Sequence, residues 1–217
     1  MFHNKSFKIS ALSIVHYYYF CVGLIERVLI MFKNIVSNLF ALVAAPGKAW
    51  QNISSKEESS ATFLNGYLYP IMGLTALSVF ANLFNDQYTL ERALKLMTID
   101  FVKFFVGFHI ASFLIDELLQ KFFEREKNPK QVQIFAGYTL SVYMLITIFL
   151  NLLMGMFSFL RFAPLYIIYI IWEGSKYYMD INENKRLLFV VLSSLILLFT
   201  PDIIERFMFI LMPGLVN

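Results

Sequence analysis

Residues 99–119 read IDFVKFFVGFHIASFLIDELL, an apolar run that carries Asp100, Lys103, His109, Asp116 and Glu117. Ionisable groups are expensive inside hydrocarbon, so each is a functional suspect by default. His109 sits near the middle of the run. At about 100° per residue, His109 and Asp116 fall on nearly one helix face, two turns and about 10 Å apart, too far to bond directly. A neutral imidazole needs a partner for each nitrogen, and neighbouring spans must supply them. Two chemistries fit this pair: a proton-linked or substrate-binding polar site, or an interhelical hydrogen bond that fixes packing. Asp100 and Lys103 lie toward one end of the run, Asp116 and Glu117 toward the other. All four are expected to reach for water.

A second group sits in LLFTPDIIERFMFILMPG, residues 197–214. Thr200 followed by Pro201 is a helix-start signal, so Pro201 either kinks one long helix or opens a short helix along the surface. On that reading Asp202, Glu205 and Arg206 are interfacial charges. The alternative is a charge cluster that lines a cavity together with Arg161. A third group, Lys48 and Trp50, follows the Pro46–Gly47 break in ALVAAPGKAW, residues 41–50. There an indole suits the headgroup level, and a lysine suits an anionic lipid surface.

Other chemistries have no residues to carry them. The sequence shows no nucleophile–base arrangement, phosphate loop or Gly-rich fingerprint. His3, His16 and His109 lack metal-ligand spacing, and a single cysteine, Cys21, excludes an intrachain disulfide. The net charge of +3 leaves no nucleic-acid footprint. No catalytic activity, cofactor or metal is expected. The sequon Asn52-Ile53-Ser54 falls on the side read as cytoplasmic and is discounted.

The elements that must hold these residues follow from composition. The 217 residues are 59% hydrophobic and 15% charged, with 24 Phe, 12 Tyr and a mean hydropathy of +0.64. Soluble domains average roughly 45–50% apolar and about 25% charged, so this chain belongs in a membrane. Five apolar stretches approach the span of a bilayer: 67–84, 101–119, 134–150 (or on to 156), 163–178 and 187–212. Polar connectors at 85–95, 120–131 and 175–186 separate most of them. The link at 151–161 is still apolar and is expected to turn near Gly155. Pro70, Gly73 and the small-residue pairs Gly107/Ala111 and Gly137/Ser141 suit close helix packing, and leave a homo-oligomer open.

Ahead of the spans, Phe32, Ile35, Val36, Leu39, Phe40 and Val43 fall on one helical face. About thirteen residues cannot cross a bilayer but can lie along it, and Pro46 ends the element. The expected organisation is therefore an apolar extension at 1–30, an amphipathic interfacial helix with a polar linker at 31–62, and a five-span bundle at 63–217. Residues 9–25 read either as a sixth span or as upstream sequence before a start at Met31. With five spans, Lys33, Lys48, Lys56, Lys121, Arg125, Lys127, Lys130, Lys176, Lys185 and Arg186 share one side, against Arg92, Lys95, Arg161 and Arg206. The positive-inside rule then places the segment before the first span in the cytoplasm and the C-terminus outside.

This pattern resembles the Yip family, five-span membrane proteins named for interaction with Ypt/Rab GTPases, and its bacterial branch in particular. The likeness rests on MFKNIVSNLFALVAAPGKAW at 31–50, on Pro46-x-Lys48-x-Trp50, on GYTLSVYML at 137–145 and on DINENKRLLF at 180–189. The family pattern G-Y-x-L-x-P is met by Gly137, Tyr138 and Leu140, with Val142 in place of the proline. The long Pro/Gly-rich arm and the D-L-Y-G-P type motif of eukaryotic members are missing, so no GTPase-binding residue carries over. The resemblance implies an all-α polytopic bundle in a membrane, the bacterial inner membrane for that branch. It implies a non-catalytic scaffold or interaction protein with the lipid bilayer and proteins on the cytoplasmic face as partners. A small transporter or channel component built round His109 stands as the alternative.

Overall fold

The computed structural model describes residues 3–56, 58–84, 88–153 and 158–212, with side chains described from 22 onward apart from Leu24 and 158–161. All regular structure among them is helical. Five helices are long and apolar enough to cross a membrane: Ile25–Ala44, Ser60–Phe84, Leu90–Phe123, Pro129–Leu152 and Glu183–Leu211. The chain divides into two compact units, Met1–Ser37 and Asn38–Asn217. The first is helical backbone belonging to one element, α1 (His3–Ala44).

Helix α1 runs without interruption through Met31, so the amphipathic stretch at 31–43 is the last part of a longer helix. Its residues from 25 onward meet the length and hydropathy of a span in their own right. On the apolar face, Phe32, Val36, Phe40 and Val43 are exposed and free to meet lipid, while Leu39 and its neighbour Leu42 are buried. Pro46 does end the helix, and α2 (Pro46–Ser54) starts on it. A proline lacks an N–H to give the preceding turn but suits the first position of a new helix.

The second unit is a bundle of helices joined by short turns. Its first pass combines α3 (Ser60–Phe63), a π-helical turn at Leu64–Leu68, α4 (Tyr69–Ser78) and a 3-10 turn at Val79–Phe84. The wide turn sits just before Pro70: Tyr69 N–H reaches back to Leu64 O, a five-residue step. Proline cannot complete the ordinary four-residue bond, and a π bulge absorbs the mismatch. Then follow α5 (Leu90–Phe123), α6 (Pro129–Leu152), a 3-10 stretch at Ser158–Leu165, α7 (Tyr166–Tyr177) and α8 (Glu183–Leu211).

The fourth expected span, 163–178, is therefore a twelve-residue α-helix entered through a 3-10 stretch that contains Pro164. The expected turn at Gly155 lies outside the described residues. Helix α8 continues through Pro201 rather than restarting there. Gly107 on α5 faces Pro201 and Ile204 of α8, where a Cβ would sit in ordinary contact at 3.5 Å.

Candidate functional site

The first cluster is built on Trp50. The indole is fully buried, and its Nε1 donates to the carbonyl of Ile170 on α7 at 2.9 Å. Phe135 and Tyr178 pack against it with ring centroids 5.4 and 5.3 Å away, and Tyr138 stands edge-on at 6.2 Å. A Cβ at Gly174 would fall 2.8 Å from both Trp50 and Phe135, so only glycine lets α7 approach this closely. The indole, which the helix break suggested as a headgroup-level residue, is enclosed by side chains. It is an internal joint between α2, α6 and α7, because a donor at one ring edge and an apolar body can be satisfied inside a bundle as well as at an interface. Lys48, two positions earlier, is exposed.

Next to this joint, Tyr67, Phe63 and Tyr138 stack with centroids 4.6–5.6 Å apart. Tyr67 Oη and Ser141 Oγ share a hydrogen bond of 2.8 Å. A Cβ at Gly137 would meet Phe63 at 2.6 Å. Gly137 and Ser141 therefore serve contacts within the bundle: one yields space to a ring, the other bonds a phenol.

The second cluster is polar and lies toward the opposite end. Lys103 is buried and pairs with Asp100 at 2.6 Å and with Glu205 of α8 at 3.3 Å. Asn151 Nδ2 donates to Ser78 Oγ at 2.9 Å and lies 3.4 Å from Asp100 Oδ2. Tyr143 Oη donates to Asp202 at 2.8 Å. Four helices, α4, α5, α6 and α8, are tied by this network. Asp100 and Lys103 do not reach for water: they satisfy each other, which offsets the cost of burying either charge alone.

The third cluster is at the connector end. Helix α5 closes on Glu124 in the left-handed region, φ 55°, and Arg125 N–H bonds back to Leu119 O. Asp116 accepts from the backbone N–H of Asn128 at 3.2 Å. Lys127 pairs with Glu117, and hydrogen bonding to that carboxylate pushes the Lys127 ammonium above the usual lysine range. Arg125 donates to Met179 O, and Gln131 Nε2 donates to Tyr178 O at 2.9 Å. Two clefts open among these groups. One, of about 290 Å³, brings Ser54, Lys56 and Glu58 together with the start of α6 and with Tyr178. The other, of about 240 Å³, is lined by residues 125–128 with Leu119 and Gln131.

Set against the sequence, the site residues scatter. His109 is exposed, flanked by Phe105 and Phe108 at 4.9 and 5.0 Å, and it meets no polar partner among the described residues. The buried stripe of α5 runs through Phe104, Phe108, Ala111 and Ile115, and His109 lies well off it. Asp116 shares the face of His109 yet is buried, because the connector after α5 folds back over it. Asp202 and Glu205 are half-buried in the polar network, and Arg206 is exposed. The side chain of Arg161 lies outside the described residues. Sequence reasoning missed Tyr143, Asn151 and Ser78. A tyrosine and an asparagine in an otherwise apolar span were the available signal, since a buried amide needs partners.

Comparison with known proteins adds one finding. The family model described as Yip1 domain matches residues 40–201. The chain belongs to the Yip1 family. The match begins inside α1, spans α2 to α7 and ends at Pro201 in α8, so it takes in the first and third clusters of this Yip1-domain protein and all of the second except Asp202 and Glu205. Neither a curated protein nor a solved structure matches it.

Proposed function

We propose that this Yip1-domain protein is a non-catalytic membrane scaffold that binds protein partners at its connector end. The observation that carries the reading is how its charges are used. In the bundle interior, Asp100, Lys103 and Glu205 bond one another, which holds helices rather than leaving a reactive group free. Open clefts and exposed cations gather instead where Ser54, Lys56 and Glu58 meet residues 125–131 and Tyr178. The Lys/Arg bias supports a cytoplasmic position for that end, with the C-terminus outside. A transporter built round His109 would need polar groups from several helices to converge on an inward ring, and His109 faces outward.

The test is paired. The protein is reconstituted in proteoliposomes and assayed for proton or solute flux across a pH gradient. In parallel, a photo-crosslinking residue is placed at Glu126, at the connector end, or at Glu91, at the start of α5, in native membranes. The scaffold reading expects no flux and protein crosslinks from Glu126 in excess of those from Glu91. Flux lost in His109→Leu, with the fold intact, would replace it with transport.

A further inference from the structure

The larger connector-end cleft holds more hydrogen-bond donors than acceptors. Lys56 and Lys130 reach it from elements far apart in sequence, and among the described residues neither has a carboxylate within 4.0 Å. Lys95, Lys103, Lys121 and Lys127 all have one. The acidic residue in the wall, Glu58, faces the Tyr138 hydroxyl at 3.5 Å. Gln131 already donates to Tyr178 O. That leaves two ammonium groups and the Asn128 amide around a space whose one described carboxylate, Glu58, is turned toward Tyr138. A volume of about 290 Å³ equals the share of about ten waters in the liquid, enough for a headgroup-sized polar ligand.

The place of the cleft narrows the ligand. Ile134, in its floor, is buried and begins the apolar run of α6, whereas Lys130 is exposed one turn earlier. The cleft therefore sits where a membrane-spanning helix leaves hydrocarbon, the depth of lipid phosphates. A phosphate offers only acceptors and a negative charge, the complement of two ammonium groups and an amide. We propose that this cleft, with Lys56 and Lys130 as its cationic walls, binds a phosphate group carried by an anionic phospholipid.

The test uses the full chain in neutral detergent, with binding read from the rise in melting temperature on titration. The probes are phosphatidylglycerol, phosphatidylcholine and inorganic phosphate. The variants are Lys56→Gln/Lys130→Gln, and Lys121→Gln as a basic control at the same end that lines neither cleft. Both cleft lysines are exposed, so the ligand-free melting temperature should stay at the wild-type value and certify the fold. Phosphatidylglycerol should stabilise the wild type and Lys121→Gln alike. The double variant should bind it at least about tenfold more weakly. Inorganic phosphate acting alone, with the same loss in the double variant, would keep the phosphate site and remove the lipid as its source. Equal binding by the double variant, equal stabilisation by phosphatidylcholine, or no response of the wild type to either anion would overturn the proposal.

Discussion

The indole of Trp50 occupies space that any side chain at position 174 would claim, so residue identity at two sites 124 positions apart is one decision. Nothing local to residue 50 announces this. A tryptophan after a helix break reads as an interfacial anchor, because its amphipathic ring suits a headgroup as well as a buried carbonyl. Gly174→Ala should cost about 1–3 kcal/mol, since the added methyl meets two rings at 2.8 Å and overpacked cores pay on that scale. Trp50→Phe should cost at least about 1 kcal/mol through the lost hydrogen bond to Ile170 O. Both are read from thermal unfolding in detergent, and an unchanged Gly174→Ala would refute the close approach. Lys103 makes the electrostatic case. Lys103→Met leaves the Asp100 carboxylate buried without its partner and should cost about 3–5 kcal/mol. The double variant Asp100→Asn/Lys103→Met should recover much of that loss. Equal loss in the single and double variants would show that packing, not charge, dominates at this site.

At the scale of elements, punctuation was legible and rotation was not. The break at Pro46 and the polar connectors follow from residues that cannot continue a regular helix, whereas the π turn before Pro70 was not expected. The phase of α5 is different. Its apolar residues surround the helix, so sequence periodicity gives no inward direction. His109 was therefore assigned to the interior although it faces out, and Asp116 owes its burial to a connector that periodicity cannot see. The fourth pass shows another limit: the hydropathy of 163–178 is continuous, while its backbone changes from 3-10 to α around Pro164. The end of α5 carries its own prediction. Glu124 adopts φ 55°, a conformation that strains a residue with a Cβ and suits glycine at a helix C-terminus. Its side chain is exposed. Glu124→Gly should therefore raise stability by about 0.5–1 kcal/mol, and Glu124→Val should lower it. Destabilisation by glycine, measured by thermal unfolding, would show that this carboxylate holds the connector.

For the whole molecule, the strongest organising fact is that three sequence-distant groups, Ser54 with Lys56 and Glu58, residues 125–131, and Tyr178, meet at one end of the Asn38–Asn217 unit. Two candidate spans, Ser60–Phe84 and Leu90–Phe123, separate the first of these from the second, whereas Pro129–Leu152 and the twelve-residue α7 lie between the second and the third. The other end is marked by the first turn of α5, where Glu91 pairs with Lys95 at 2.6 Å and is exposed. These ends should face opposite aqueous compartments if the bundle spans the membrane, and the positive-inside rule assigns the connector end to the cytoplasm. The prediction uses single cysteines on a Cys21→Ser background: Gln120→Cys and Asn184→Cys at the connector end, Glu91→Cys at the other. All three native side chains are exposed, so substitution should leave the packing intact. In intact cells an impermeant thiol reagent should label Glu91→Cys and spare the other two, and permeabilisation should make all three react. Labelling of Gln120→Cys and Asn184→Cys with protection of Glu91→Cys would invert the orientation and put both clefts outside. Labelling of only one of the connector-end pair would break the common end itself, because Gln120 and Asn184 would then lie on opposite sides of the bilayer.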